Sequence, residues 1–197
     1  MSRPPTFGHC EVAFPLWPIC LKYHCRYVEL DDELQRRTSN PANPSEFNAY
    51  WNIVGERIET ATIAIVFAAT FLDQFIYKYG CSHFGIEDCE KEFDRLSLRS
   101  KWLRIPERAH GKTIPETSSA MEMLGELVQV RHSIVHYKVF DMGIQVIPAA
   151  QKVESLAKLT HKCARNSVVT AKSLMTELGK IDSGETFQKL LAEFLTK

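Results

Sequence analysis

Apolar residues recur three or four positions apart over most of this chain, the spacing that gathers them on one face of an α-helix. The clearest run opens at Asn43-Pro44-Ser45-Glu46, with Asn as a cap, Pro at the first helical position and Glu at the third. Phe47, Trp51 and Val54 lead from there into "ATIAIVFAATFL", and between Thr60 and Lys78 the only charged residue is Asp73. This stretch predicts a core helix that reaches Tyr79, with a possible break near Gly55 and a stop at Gly80.

Residues 81–87 read as a loop and 88–99 as a charged helix, after which Pro106, Gly111 and Pro115 predict a second loop. A helix over about 116–140 follows, with Thr117 or Ser118 near its cap, before Asp141-Met142-Gly143 turns the chain. The next helix, about 149–180, turns Val153, Leu156, Leu159, Cys163, Leu174 and Leu178 inward, and leaves Lys158, His161, Lys162, Arg165 and Lys172 as an outer basic strip. Ser183-Gly184 separates it from a last amphipathic helix built on Phe187, Leu190, Leu191 and Phe194. The first 44 residues differ, holding six of the nine prolines. Helix is expected over 28–37, whereas 18–27 fits a strand period (Ile19, Leu21, Tyr23, Cys25, Tyr27) as well as a helical one (Ile19, Tyr23, Tyr27).

These elements predict an all-α bundle of about five main helices over 44–197, with 1–43 as a Pro-rich N-terminal extension packed on it through Trp17 and its neighbours. A length of 197 residues with 45% hydrophobic content suits one core. Lys+Arg and Asp+Glu both total 24, and zero net charge argues against a general nucleic-acid coat or a membrane-surface binder. No run of eighteen apolar residues predicts a membrane span, and no basic segment followed by an apolar one predicts a signal peptide, so a cytoplasmic protein is expected. The six cysteines then read as reduced thiols. His9, Cys10, Cys20, His24 and Cys25 lack the close Cys pair of a zinc site, and His132 and His136 lack the Glu of a His-Glu-x-x-His site, so neither metal nor cofactor is expected.

The chemistry-bearing stretch is Arg131-His132-Ser133-Ile134-Val135-His136-Tyr137-Lys138. Leu124, Leu127, Val128, Ile134 and Val135 define a buried arc, and Arg131 falls near its middle. A buried arginine needs a partner, a cleft or a ligand. Asp73, the lone acid of the core helix, is the leading candidate partner. His132 and His136, four residues apart, share one flank. Upstream, Arg95, Arg99, Lys101, Arg104, Arg108 and Lys112 surround Trp102 against a single acid, Glu107. This is either a solvated helix face or a surface on which Trp102 stacks a base and Arg104 and its neighbours hold a phosphate backbone.

Arg131 and His136, separated by four residues and preceded by an apolar helix with an embedded acid and a basic Trp-containing segment, resemble the Arg-x4-6-His signature of the HEPN superfamily. The resemblance covers about residues 50–180, with His132 where such domains often carry Asn. It implies an HEPN-like bundle, a homodimer whose two motifs meet across a cleft, and metal-independent endoribonuclease activity on RNA. In that scheme His136 is the general acid or base, Arg131 binds the scissile phosphate, His132 orients it or shares the proton transfer, and Tyr137 and Lys138 are lesser contacts. Asp73 matches the acid of the family's long apolar helix. The implied settings are toxin–antitoxin or defence systems, with an inhibitor protein as a further partner. On an ideal helix Arg131 and His136 project about 140° apart, so arginine's length, a helix distortion or the second subunit must complete the site. The alternative is a non-catalytic HEPN-like module that binds a nucleotide or a protein.

Overall fold

A computed structural model describes residues 16–37, 43–135 and 146–195. Every regular element among them is helical: α1 (Leu16–Arg36), α2 (Pro44–Phe84), α3 (Ile86–Phe93), α4 (Leu98–His110), α5 (Ser119–Val135), α6 (Val146–Ile181) and α7 (Glu185–Leu195). The fold is all-α, with seven helices among the described residues rather than about five.

The axis is α2, which touches each of the other six helices. Its first buried residue is Thr60 and its last is Gly80, so the apolar run read from the sequence is the part the bundle encloses. Ala61, Ala64 and Ala68 line this segment, and their small side chains let α1 approach until Cys20 Sγ is 3.8 Å from the Ala64 carbonyl oxygen. Further along, the rings of Phe75 and Trp102 stack with centroids 6.1 Å apart, while Phe187 and Phe194 present their edges to Phe75. One phenylalanine thus joins α2, α4 and α7, and its full burial is worth about 1.5–3 kcal/mol. The helix has the length and apolar content of a membrane span, yet 56% of that window is buried inside the bundle, as in a core helix of a soluble protein.

Several elements depart from the sequence reading, each for a local reason. Residues 16–36 form one helix, resolving the strand-or-helix ambiguity at 18–27; Pro18 lies in the first turn, where its missing N–H is not needed. Leu16, Trp17, Cys20, Tyr27 and Leu30 are buried alongside the enclosed part of α2. No break occurs at Gly55, and Gly80 does not stop α2. A Cβ on Gly80 would lie 3.1 Å from Cys89 Sγ and 3.2 Å from Ile105 Cδ1, so this glycine admits close packing of α3 and α4. The stop is Gly85, at φ 82°. The expected helix over 88–99 is instead divided between α3 and α4, with Ser97 capping the latter through Ser100 N–H. Pro106 lies inside α4 rather than in a loop, because Lys101, Trp102, Ile105 and Pro106 form that helix's buried face. The packing outweighs the lost backbone bond, and the helix ends at left-handed Gly111, whose N–H reaches the Glu107 carbonyl.

Candidate functional site

Arg131 and His132 lie near the end of α5. Ala120, Met121, Leu124, Leu127 and Val130 are buried along this helix, and Val130 is the last of them. Beyond it Arg131 and His132 are exposed, as is Val135 at 52%. The apolar arc is therefore real, and Ile134 still packs against the core in the last turn, but Arg131 itself lies outside the buried face, and no desolvation cost attaches to the guanidinium. His136, Tyr137 and Lys138 lie outside the described residues.

The expected Asp73–Arg131 pair is not what forms. Asp73 accepts a hydrogen bond of 2.9 Å from Lys101 Nζ, and of the two it is the lysine that is buried, with 8% of its side chain exposed against 47% for Asp73. Lys101 runs its aliphatic stem into the α2–α4 interface and brings its ammonium out to Asp73, 5.3 Å from the centre of the Tyr77 ring. Trp102 cannot stack a base, being fully buried against Phe75. Of the basic residues around it, Arg104 is exposed, while Arg99 pairs with Glu116 at 3.5 Å and Arg108 with Glu92. The basic strip of α6 is also largely used internally. Lys162 reaches Glu126 at 2.5 Å, and Arg165 and His161 turn to Asp31.

Two clusters of titratable groups were not legible as sites. In the first, the buried Asp31 carboxylate of α1 meets Arg57 Nη1 at 3.0 Å, His161 Nε2 at 3.0 Å and Arg165 Nη2 at 2.5 Å. Tyr27 donates toward His161 beneath it, and burial, reinforced by the Asp31 charge, keeps its phenol protonated well above the usual range. In the second, Asp182 Oδ2 accepts from Tyr79 Oη at 2.9 Å and lies 3.4 Å from both His83 Nε2 and His110 Nε2; Oδ1 accepts from Gly184 N–H at 2.7 Å. Burial alone would raise the Asp182 carboxyl, but the hydrogen bonds from Gly184 and Tyr79 and the two histidines outweigh it and hold it below the ordinary range. Tyr79 is pushed the other way by burial and by its bond to Asp182, and stays a phenol. The sequence does carry one signal for this second cluster: His83, His110 and Asp182 each stand one or two positions before a glycine, Gly85, Gly111 and Gly184.

No family model, curated protein or solved structure matches the chain. The resemblance to HEPN domains rests on the Arg131–His136 motif and its helical context alone.

Proposed function

We propose that this chain is a metal-independent endoribonuclease of HEPN type, working as a homodimer whose motif helices face one cleft. The observation that carries the reading is the exposure of Arg131 and His132 on the last turn of α5, while Lys101 occupies Asp73. An exposed guanidinium is available to a phosphate, which it can grip through two parallel hydrogen bonds. Cleavage then needs three events: a base takes the proton of the 2′-OH, the 2′-oxygen attacks phosphorus, and the departing 5′-oxygen receives a proton. His136 is assigned one proton transfer because imidazole titrates near neutrality, and Arg131 stabilises charge on the phosphorane. Exposed Val135 supports the dimer, since a second copy covering the end of α5 would bury it.

A second reading, a non-catalytic module that binds a nucleotide or a protein, is favoured by a different observation. Lys101, Arg108, Lys162 and Arg165 are all committed to acids of the same chain, and Trp102 is buried. These pairings neutralise part of the basic surface, leaving Arg95, Arg104 and Lys112 as its exposed remainder in that stretch.

Cleavage of single-stranded RNA in EDTA decides between them. The active reading requires 2′,3′-cyclic phosphate ends and intact DNA of the same sequence, because the nucleophile is the 2′-OH. His136→Ala should lower the rate by ~10²–10⁴-fold. Arg131→Ala should be comparably severe with little change in melting temperature, since the side chain is exposed; His132→Ala should be milder. Cleavage unchanged by His136→Ala removes the nuclease assignment.

A further inference from the structure

Three helices end at one place. His83 is in the last turn of α2, His110 is the last residue of α4, and Asp182 directly follows α6. A helix C-terminus carries the negative end of its macrodipole, so three of them around a buried carboxylate favour a cation. Yet the groups that face this carboxylate among the described residues are a phenol, two imidazoles and a backbone N–H, none with a permanent positive charge.

Zinc bonds of about 2.0–2.1 Å to nitrogen and oxygen put adjacent ligands of a tetrahedron about 3.4 Å apart. Asp182 Oδ2 stands 3.4 Å from His83 Nε2 and 3.4 Å from His110 Nε2, two edges of such a tetrahedron. One ligand atom from each of His83, His110 and Asp182 lies within 4.8 Å of the other two. For an N–H···O bond the same 3.4 Å lies beyond the usual range of about 2.7–3.2 Å. His83 Nε2 is accordingly a buried atom with no hydrogen-bond partner.

We propose that His83 Nε2, His110 Nε2 and Asp182 Oδ2 bind one divalent transition-metal ion of the zinc class, leaving the fourth position to solvent. Two imidazoles with a single carboxylate select zinc, cobalt or nickel over magnesium or calcium, which prefer all-oxygen shells. Outer contacts are in place. Gly184 N–H fixes Oδ1, and Tyr79 donates to Oδ2, whose second lone pair remains for the metal. Tyr79 Oη is also 2.8 Å from His110 Nε2, so binding requires His110 to exchange that contact for the ion. Its side chain, 27% exposed, has room to turn. The bound ion would clamp the ends of α2 and α4 to the α6–α7 turn. None of its ligands belongs to the Arg131–His136 motif, so the site does not depend on the nuclease reading.

The test is metal binding by the full-length chain, stripped with a chelator and dialysed. Calorimetric titration should saturate at one Zn²⁺ per chain, and one equivalent of Co²⁺ should give the visible bands of a four-coordinate site that Zn²⁺ abolishes. His83→Ala and His110→Ala should each weaken Zn²⁺ at least about 100-fold, beyond the 10–100-fold that loss of an outer contact costs. A Cys10→Ser/Cys25→Ser variant should bind like the parent, which excludes the N-terminal thiols as the source. Melting curves recorded without metal separate a lost site from a lost fold, and His110→Ala, being partly exposed, is the decisive variant. Failure of the folded parent to bind one equivalent overturns the proposal. So does undiminished binding by a folded His110→Ala.

Discussion

Asp31 and Asp182 are both buried aspartates, 1% and 6% exposed, yet their surroundings are opposite. Asp31 is met by two guanidinium groups, from Arg57 and Arg165, with His161 beside them. Both arginines reach solvent, at 27% and 43% side-chain exposure, so the excess positive charge is dispersed into water. Asp182 faces a phenol, two imidazoles and a backbone N–H, none of them a permanent cation. The first cluster is a completed ion network joining α1, α2 and α6. The second is stabilised by hydrogen bonds and helix ends but has no fixed counter-charge, and there an added cation has something to do. Burial of a carboxylate is thus no guide to its role; the charges opposite it are.

Asp31→Ala should separate the two most sharply. It removes the acid that two arginines and a histidine share, and breaking a buried ion pair costs about 3–5 kcal/mol. Because the arginines can rehydrate, a loss near the lower end, about 3 kcal/mol, is expected from urea unfolding. A loss under about 1 kcal/mol would show that the network contributes little. Asp182→Asn, measured with chelator present, should cost less. The amide oxygen can keep the Gly184 N–H bond, while its NH2 replaces the oxygen that Tyr79 bonds and turns that contact around, with Tyr79 left to donate to His110 Nε2. The charge and one bond's direction are lost, about 1–2 kcal/mol. Equal losses at the two positions would dissolve the distinction.

How much of this is readable in the sequence follows the range of the interactions. The cap at Asn43, the apolar run of α2 and the break before α7 are local signals, and each is where the sequence indicates. The break between α3 and α4 escapes such a reading because a Ser97 cap is ordinary in a polar stretch. The persistence of α4 through Pro106 escapes it because it depends on packing against α2, which no local rule weighs. Periodicity places Arg131 in a buried arc, since it gives the direction of a side chain but not how much of that arc the neighbouring helices cover at the last turn, where Ile134 still packs and Arg131 does not. Lys101 and Asp73 are 28 residues apart and Tyr79 and Asp182 are 103 apart, so no spacing rule joins them. In the sequence His110 is one more basic residue near Lys112; only the fold makes it a neighbour of His83.

The smallest effect sharpens the same comparison from inside the core. Cys163 lies on α6 between His161 and Arg165, while Cys89 packs against Gly80 near the end of α2 that carries His83. Burial pushes the Cys163 thiol up to about 11 and the Cys89 thiol up to about 12 from an ordinary value of 9.0. Thiolates are the reactive species, so at about pH 8 exposed Cys25 should be alkylated first and these two only when the structure opens around them. Asp31→Ala should accelerate Cys163 more than Cys89, and Asp182→Asn should do the reverse. Below about pH 9 the raised values weaken nothing, because both folded and unfolded chains hold their thiol protons. Above it the unfolded chain ionises while the folded one does not, so stability falls as pH climbs from 9.0 toward about 11 and 12. The urea midpoint should therefore decline over that window, and Cys163→Ala, tested against the parent at each pH, should flatten the decline. A decline of unchanged slope in that variant would mean that the Cys163 thiol is already open to solvent in the folded protein, and that the α6 side of the Asp31 network is looser than its ion pairs imply.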